Sequence, residues 1–494
     1  MKNLLYIISL CGLLTACDLQ EEPYGFYSDD NFYKSETDAE SGLLYAYNAL
    51  TFLEYSRGIF YIGDIPTETM SPKSDEAGDV YQLENWIANR ETEQLQYYFK
   101  YCYIAINRAN TVIDHIQNSS VLSETARRRI LGDAYFLRAW NYFNLVRTFG
   151  IVPVQTKMVA ELSQTTPPMA TGLDQLYDLI LGDLTRADNL LEVNKVFGRA
   201  DKVAAQSLMA KAYLTIASSK EHNVHRYTEM RREPRIMYDS AAYWAGKVVR
   251  DYKNVYDFDT NLRDIYDVDK PTGPEHIFIM PIDRSGTQEG NYSKLPLLFL
   301  PSNNSVPFYI RYGNGDLQRA NGNGWGVFLC NDEFVETQFS TTDKRRTELI
   351  HRDIYDASGN PIVPNQVKGY FSSKYVDPDF IGERTSARPY LIRFSDIALV
   401  YAEAAGPEAG LAYVNRIRER AGVTPLPSGM TTDKFREAVI KERALELAFE
   451  GNRLYDLRRT ASVTTTDIKA AGLSEAEAAY YPIPQREIDL NPNL

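Results

Sequence analysis

The sequence predicts a mainly α-helical protein built from helical hairpins, with a second part made of loops and short β-hairpins. Most of the chain consists of amphipathic segments in consecutive pairs, in which apolar residues recur at helical spacing. Small and aromatic residues occupy the close-contact positions of these segments, a pattern typical of tetratricopeptide-like stacking. Between residues 252 and 388 the chain is instead dense in Gly, Pro, Asn and Asp, with β-like runs such as HIFIMPI.

The first long hairpin is predicted from two neighbouring helical patterns. Apolar residues keep helical spacing from Glu93 to Ile116. Ser123 is a typical N-cap for the next helix, which ends at Gly150 and is followed by Pro153. A Thr/Pro-rich loop, SQTTPPMATG, then separates this pair from the rest of the chain.

The same periodicity predicts five more helices. The last of them has two plausible N-caps, Thr432 and Asp433. These predicted helices are Leu173–Leu191, Ala200–Ser218, Tyr390–Ala405, Leu411–Ala421 and a final one that runs to Phe449.

The N-terminus resembles a bacterial lipoprotein signal. Lys2 supplies a positive charge, and Leu4 to Leu14 is an apolar run too short to span a bilayer. The small residues of LTAC then precede Cys17, the residue expected to carry lipid after cleavage of residues 1–16. The alternative is an ordinary secretory signal with an incidental cysteine.

The net charge of the chain limits the kinds of partner that it can bind. With 53 Lys and Arg against 66 Asp and Glu, the formal net charge is −13. An acidic surface without a basic stripe repels phosphate backbones, so we expect no nucleic-acid partner. Tyrosine is unusually frequent, with 35 copies, and many of these rings are expected near the surface, where they can stack and hydrogen-bond.

The segment KERALELAFEGNRLYDLRR contains a stripe of glutamates that resembles a catalytic site. Glu442, Glu446 and Glu450 lie four residues apart, and the preceding helix carries Arg416 and Arg420 at the same spacing. We expect the two stripes to pair across the turn VTPLPSG and to fix the register of the helices. A catalytic carboxylate dyad is the alternative interpretation.

Signatures of catalysis and of cofactor binding are otherwise missing from the sequence. It contains no G-x-S-x-G elbow, no phosphate-binding loop and no H-E-x-x-H motif. His222 and His225 are three residues apart, but no third ligand is recognisable. We therefore expect a protein that is not an enzyme and that needs neither cofactor nor metal.

Aromatic residues on polar loops are the best candidates for ligand binding. Flat rings stack against the C–H faces of sugars, while Asn and Arg hydrogen-bond the hydroxyls; the same rings could cover a peptide or pack locally. The candidates come from the loop Asp64–Arg90, before the first long hairpin, and from the region 252–388; they are Tyr81, Asn85, Trp86, Tyr292, Tyr309, Arg311, Asn314 and Trp325.

Five stretches, in order along the chain, resemble the SusD/RagB family of outer-membrane nutrient-binding lipoproteins. They are GDAYFLRAWNYFNLVRTFG, YLIRFSDIALVYAEAA, GLAYVNRIRERAG, KERALELAFEGNRLYDLRR and YYPIPQREIDLNPNL. The resemblance implies one SusD-like unit over 17–494 with about four tetratricopeptide-like hairpins. The helical repeats would then occupy 40–63, 93–251 and 389–460, and the ligand-binding loops 64–92 and 252–388.

The resemblance also implies a function and a set of partners. Members of this family are lipid-anchored in the outer membrane, face the cell exterior and cap a SusC-like TonB-dependent transporter. The glutamate stripe is a scaffold signature in this family. We therefore expect a glycan-binding protein that captures oligosaccharides and delivers them to the transporter. A peptide receptor of the same fold is the alternative, and a surface glycoside hydrolase using Asp75 and Asp79 is a further one.

Overall fold

The computed structural model describes residues 32–76, 78–285, 293–362 and 369–494. Helices dominate this part of the chain, and no helix within it is long and apolar enough to cross a membrane. The α-helices are α1 Glu36–Thr51, α2 Leu53–Gly63, α3 Asp79–Glu84, α4 Glu93–Ile116, α5 Glu124–Phe149, α6 Leu173–Leu190, α7 Lys202–Glu221, α8 Pro234–Asp251, α9 Leu295–Phe299, α10 Asp332–Gln338, α11 Lys344–Leu349, α12 Phe394–Ala405, α13 Pro407–Arg420, α14 Thr432–Glu446, α15 Arg453–Arg459, α16 Val463–Thr466, α17 Glu475–Ala479 and α18 Gln485–Leu490.

The strands are short and belong to small antiparallel sheets. The largest described sheet has the order β4-β3-β7-β8, and the other pairs are β1 with β5, β2 with β10, and β6 with β9. The strands are β1 Met70–Pro72, β2 His276–Ile279, β3 Phe308–Arg311, β4 Leu317–Ala320, β5 Phe328–Cys330, β6 Ile350–His351, β7 Ile354–Tyr355, β8 Pro361–Ile362, β9 Phe371–Ser372 and β10 Tyr390–Arg393.

The long helices stack in chain order. Helices α1 and α2 both pack on α4, and α4, α5, α6 and α7 each pack on the next helix in the chain. Helix α8 then packs on α12, which also contacts α13 and α14. Consecutive antiparallel neighbours of this kind are what short connections between amphipathic helices produce. The expectation of a mainly α protein made of helical hairpins is confirmed.

The helix boundaries of the first hairpin agree with the sequence. Helix α4 spans Glu93–Ile116, as its apolar spacing predicts. The Ser123 side chain accepts a hydrogen bond from the backbone N–H of Ala126, which satisfies a free donor of the first turn of α5. Gly150 ends α5 with a positive φ of 76°.

The predicted helix Tyr390–Ala405 is wrong in its first turn. Residues Tyr390–Arg393 form β10, which pairs antiparallel with β2, and α12 begins only at Phe394. The run Tyr-Leu-Ile suits a pleated strand as well as a helix, and a partner strand in HIFI decides between them. This strand delivers Arg393 to the protein interior, where it is 1 % exposed.

The main hydrophobic core extends from the helices into the loop regions. It contains residues of α1 to α8, and also Phe299, Phe328 and Tyr375 from the irregular part of the chain. A second cluster lies beneath the four-stranded sheet and includes Phe308 and Ile310. A third cluster fills the space between α12, α13 and α14.

Candidate ligand-binding face

The pairing of β1 with β5 brings the two predicted loop regions together. Met70 lies opposite Cys330 and Pro72 opposite Phe328 in this antiparallel ladder. The backbone N–H of Lys73 extends the ladder by donating to the carbonyl of Val327 at 3.1 Å. Segments more than 250 positions apart in sequence therefore lie side by side. We call the exposed described residues of the two loop regions, 64–92 and 252–388, the loop face.

Trp325 presents its ring on the loop face from a rigid backbone. Its side chain belongs to the exposed large apolar residues, with 44 % of the residue exposed. The backbone N–H of Trp325 donates to the carbonyl of Leu297 at 2.6 Å. At Gly324 an added Cβ would lie 2.0 Å from the carbonyl oxygen of Leu300, so the chain passes α9 too closely for a side chain. The Lys294 ammonium lies 5.5 Å from the centre of the indole ring.

Strand β3 places Tyr309 and Arg311 on the open side of its sheet. Strand alternation turns Phe308 and Ile310 into the small core, and the other two residues lie on the opposite side. Tyr309 is paired directly with Tyr355 of β7. The guanidinium of Arg311 lies 4.2 Å from the centre of the Tyr355 ring and also donates to the carbonyl of Gly359. These side chains form a flat strip of two tyrosines and one arginine.

Asn314 is less suited to ligand binding than its sequence predicts. Its carboxamide nitrogen donates to Oδ2 of Asp316 at 2.6 Å, and its carboxamide oxygen accepts from the backbone N–H of the same residue at 3.1 Å. Both ends of the side chain therefore stabilise the turn between β3 and β4.

Tyr81 on α3 is exposed, whereas Trp86, just after the end of this helix, is buried. Tyr81 is 52 % exposed, and the Asn85 side chain donates to its carbonyl at 2.8 Å. Trp86 is only 8 % exposed, against the expectation of an open stacking ring. Its indole N–H donates to Oδ2 of Asp467 at 3.2 Å, and its ring stacks against Tyr481 at 6.1 Å. An indole needs a hydrogen-bond acceptor when it is buried, and Asp467 supplies it from 381 residues away.

Two predicted functional residues lie outside the described part of the chain. They are Cys17, the expected lipidation site, and Tyr292, an expected ligand residue.

A polar cavity of about 590 Å³ adjoins the β3–β4 turn, and the sequence analysis missed it. Its walls come from the segment 261–269 and from β4, with Arg263, Asp267, Gln318 and Arg319 among the lining residues. The Asp-rich sequence DFDTNLRDIYDVD could have indicated a polar site, but this composition is equally typical of an ordinary surface loop. Tyr266, also in the lining, donates its hydroxyl to Oε1 of Glu450 at 2.8 Å and so joins this cavity to a buried charge network.

The glutamate stripe is the centre of that network. Glu446 accepts from Arg420 at 2.7 Å and from Arg393 at 2.9 Å, so one of the predicted arginines pairs as expected. Arg416 does not: it is exposed and pairs with Asp257 at 3.1 Å. The other glutamates have partners that the sequence did not suggest: Arg345 and Arg418 for Glu442, and Lys374 and Arg393 for Glu450.

The network favours the charged forms of Glu275 and Glu446, whose pKa values are lowered although both side chains are buried. Burial raises the pKa of Glu275, but the guanidinium groups of Arg420 and Arg393 outweigh burial and lower the pKa to about 2. The three stripe glutamates are 1–4 % exposed and enclosed by helices and β10. The described residues around the stripe therefore leave no cleft through which a substrate could reach these glutamates. This geometry favours the structural interpretation over a catalytic dyad.

Comparison with known proteins gives the same family from both ends of the chain. Residues 353–494 match the SusD family, and residues 33–214 match a SusD-like family described as "Starch-binding associating with outer membrane". SusD-like protein P2 of Formosa agariphila is 24 % identical over 496 residues, covering 92 % of this chain and 89 % of the relative.

Solved structures share the fold over nearly the whole length. A SusD homolog from Bacteroides thetaiotaomicron superposes with a TM-score of 0.76 at 20 % identity, covering 95 % of this chain and 98 % of the homolog. Surface glycan-binding protein A from the same species, solved in complex with laminarihexaose, gives 0.71 at 20 % identity, with 92 % and 97 % covered. The family expected from the sequence motifs is confirmed, and the chain belongs to the SusD/RagB family.

Proposed function

We propose that this protein captures oligosaccharides on its loop face and delivers them to a TonB-dependent outer-membrane transporter. The observation that carries the proposal is the half-exposed ring of Trp325, held on a backbone that is hydrogen-bonded to α9. A rigid aromatic ring loses little entropy when a sugar ring stacks on it, so its binding energy is not spent on ordering the site.

The strip on the four-stranded sheet supplies the complementary polar contacts. Tyr309 and Tyr355 lie opposite each other, and the Arg311 guanidinium rests on the second ring. Each phenol can donate to and accept from a sugar hydroxyl, and the guanidinium offers several donors in one plane. Tyr81 on α3 is a further exposed ring on this face. The similarity in fold to a glycan-binding protein solved with laminarihexaose supports a saccharide as the ligand.

The proposed location follows from the N-terminus and from the family. Lipid on Cys17 would hold the protein in the outer membrane, with the loop face directed to the cell exterior. The family description of association with the outer membrane supports this location. A Cys17→Ala variant is then expected to move from the membrane fraction to the soluble fraction, whereas a Cys102→Ala variant, altered at a buried thiol, should stay with the membrane.

Affinity gel electrophoresis tests the capture of glycans. The chain from residue 18 is run through gels that contain laminarin, amylopectin, xylan or mannan, and Trp325→Ala is run beside it. We expect one polysaccharide to retard the parent protein and Trp325→Ala to lose most of that retardation. Trp244→Ala is the matched control, because this partly buried tryptophan lies on α8, outside the loop regions.

Three outcomes contradict the proposal. Retardation that survives Trp325→Ala would place the glycan elsewhere on the protein. No retardation in any gel, with binding to peptide digests, would favour the peptide receptor. Release of reducing sugar from a retarding polysaccharide would favour a hydrolase.

A further inference from the structure

A sizeable cavity lies on the helical side of the molecule. It has a volume of about 810 Å³ and is bounded by α1, α4, the segment 153–167 and the C-terminal stretch 487–494. We call it the helical groove. None of the ligand residues predicted for the loop face contributes to its lining. Its size is in the range of small-molecule sites.

An exposed tyrosine forms one edge of the helical groove. Tyr45 is 57 % exposed, although it lies on a helix whose other face is in the core. The Arg108 guanidinium lies 3.6 Å from the centre of its ring, and donates to the Tyr45 carbonyl at 2.9 Å. Arg108 therefore holds the ring in place from one side and leaves more than half of the residue open to solvent.

The floor of the groove is aromatic and equally well fixed. Phe99 and Tyr103 of α4 lie with their ring centres 4.9 Å apart. The Tyr103 hydroxyl donates to the carbonyl of Pro153 at 2.7 Å, which ties the floor to the far wall. A ligand with a flat apolar face would meet rings that are already in position.

Three carboxamides of the lining are each fixed by one end. Asn107 accepts from the N–H of Val159 at 3.0 Å, and Gln164 accepts from the N–H of Ala160 at 2.7 Å. The NH₂ groups of both side chains have no acceptor among the described residues. Gln155 is held the other way round: its NH₂ donates to the carbonyl of another loop residue at 2.7 Å, and its oxygen has no donor within the described ranges.

Fixed amides of this kind are suited to hydroxyl groups. Anchoring one end removes the rotational freedom of the side chain, so the other end can bind a ligand at little further cost in entropy. The groove then offers two donors and one acceptor at set positions, and hydroxyls can satisfy both kinds.

The charges of the lining nearly balance. Lys100, Arg108 and Glu487 are its ionisable groups apart from tyrosine, and Arg108 is already engaged at Tyr45. Neither Lys100 nor Glu487 has an ion-pair partner within 4.0 Å in the described part of the chain. With two cationic side chains and one anionic side chain, the lining carries little net charge, which favours a neutral ligand.

We propose that the helical groove is a second saccharide site, which binds a short neutral oligosaccharide through ring stacking on Tyr45 and through the fixed amides of Asn107, Gln155 and Gln164. The ligand class rests on the proposed function, but the site is separate from the loop face. Two sites on one chain would raise the avidity for a long polysaccharide whose length spans both of them.

Isothermal titration of the chain from residue 18 tests the proposal with laminarihexaose, maltohexaose, cellohexaose and mannohexaose as probes. We expect one hexasaccharide to bind at two sites on the parent protein. Tyr45→Ala and Gln164→Ala should each halve the stoichiometry or weaken one site at least tenfold. The matched control is Tyr243→Ala, a tyrosine of α8 that is 54 % exposed and does not line the groove.

Trp325→Ala separates this inference from the proposed function. A single site that is lost in Trp325→Ala and kept in Tyr45→Ala overturns the second site and leaves the loop face as the capture site. A single site that is lost only in Tyr45→Ala overturns the loop face and keeps the helical groove. Binding that neither variant changes, or no binding of any probe, contradicts both proposals. If no probe binds, a peptide that binds the parent protein but not Tyr45→Ala would identify a protein segment as the occupant of the groove.

Discussion

Arg393 donates from Nε to Oε2 of Glu450 at 2.7 Å, with both side chains removed from water. The arginine comes from β10, and the glutamate follows α14. The same guanidinium reaches Glu446 and Glu275, each at 2.9 Å. One buried cation on β10 therefore joins this strand to the end of α14, through Glu446, and to Glu275, the residue before β2.

Removing one charge of this network should destabilise the fold strongly. Glu446→Gln removes a carboxylate charge that balances the buried guanidinium groups of Arg393 and Arg420. Removing one partner of a buried ion pair costs about 3–5 kcal/mol. Urea unfolding followed by circular dichroism measures the change. Glu437→Gln, an exposed position of the same helix, is the control and should change the free energy of unfolding by less than about 0.5 kcal/mol. Equal stability of both variants would show that the network is not structural.

Local signals in the sequence were sufficient for helices such as α4 and α5 and insufficient for this network. Helix α4 and the Ser123 cap of α5 depend on residues within a few positions of each other, so periodicity and capping predict them. Arg393 and Glu450 are 57 positions apart, and Arg345 and Glu442 are 97 apart. Only the tertiary fold brings them together, and the one predicted pair that forms, Arg420 with Glu446, joins neighbouring helices.

The exposure of the proposed ligand residues could be predicted from the sequence only in part. Trp325 and Tyr81 are exposed on the loop face, but Trp86, in an equally polar loop, is turned inward because Asp467 offers its indole an acceptor. The helical groove was missed entirely, since Tyr45, Asn107 and Gln164 belong to three separate segments with ordinary helix or loop composition.

Asp64 should make stability depend on pH between about 4 and 7. It is fully buried, and Oδ2 accepts from the N–H of Gly451 at 2.6 Å, while Oδ1 has no partner among the described residues. Burial raises its pKa to about 7, against the opposing effect of that N–H. The folded state therefore holds the proton more tightly than the unfolded state, and its stability falls as the pH rises from 3.8 to 7.

Asp64→Asn removes this titration and keeps an oxygen for Gly451. We expect the stability of the variant relative to the parent to rise with pH across that window, by about 2–4 kcal/mol in total. Urea unfolding at pH 4.5, 6 and 8 measures the difference. Asp75→Asn, an exposed carboxylate of the same loop, is the control. A difference between Asp64→Asn and the parent that stays constant with pH would contradict the assignment.

The close approach of Gly63 and Gly451 should tolerate no side chain. An added Cβ at Gly63 would lie 2.3 Å from the carbonyl oxygen of Gly451, and backbone cannot move aside as a flexible side chain can. We expect Gly63→Ala to lower the free energy of unfolding by about 1–3 kcal/mol or more. Gly172→Ala, where no atom lies within 4 Å of the added Cβ, should be nearly neutral in thermal unfolding. Similar melting temperatures for the two variants would mean that the backbone at Gly451 can move away from an added Cβ.

Trp86 should prove to be a structural residue and not a ligand residue. Trp86→Phe keeps an aromatic ring against Tyr481 but removes the indole donor, which leaves Oδ2 of Asp467 buried without it. An unsatisfied buried acceptor costs about 1–3 kcal/mol, so the melting temperature should fall while retardation in the polysaccharide gel stays unchanged. Trp325→Ala is the counterpart: because its ring is half exposed, it should weaken retardation and leave the melting temperature nearly constant. The opposite result, weaker retardation at an unchanged melting temperature, would contradict this assignment. It would mean that the Trp86 ring leaves Asp467 and contacts the glycan in the bound protein.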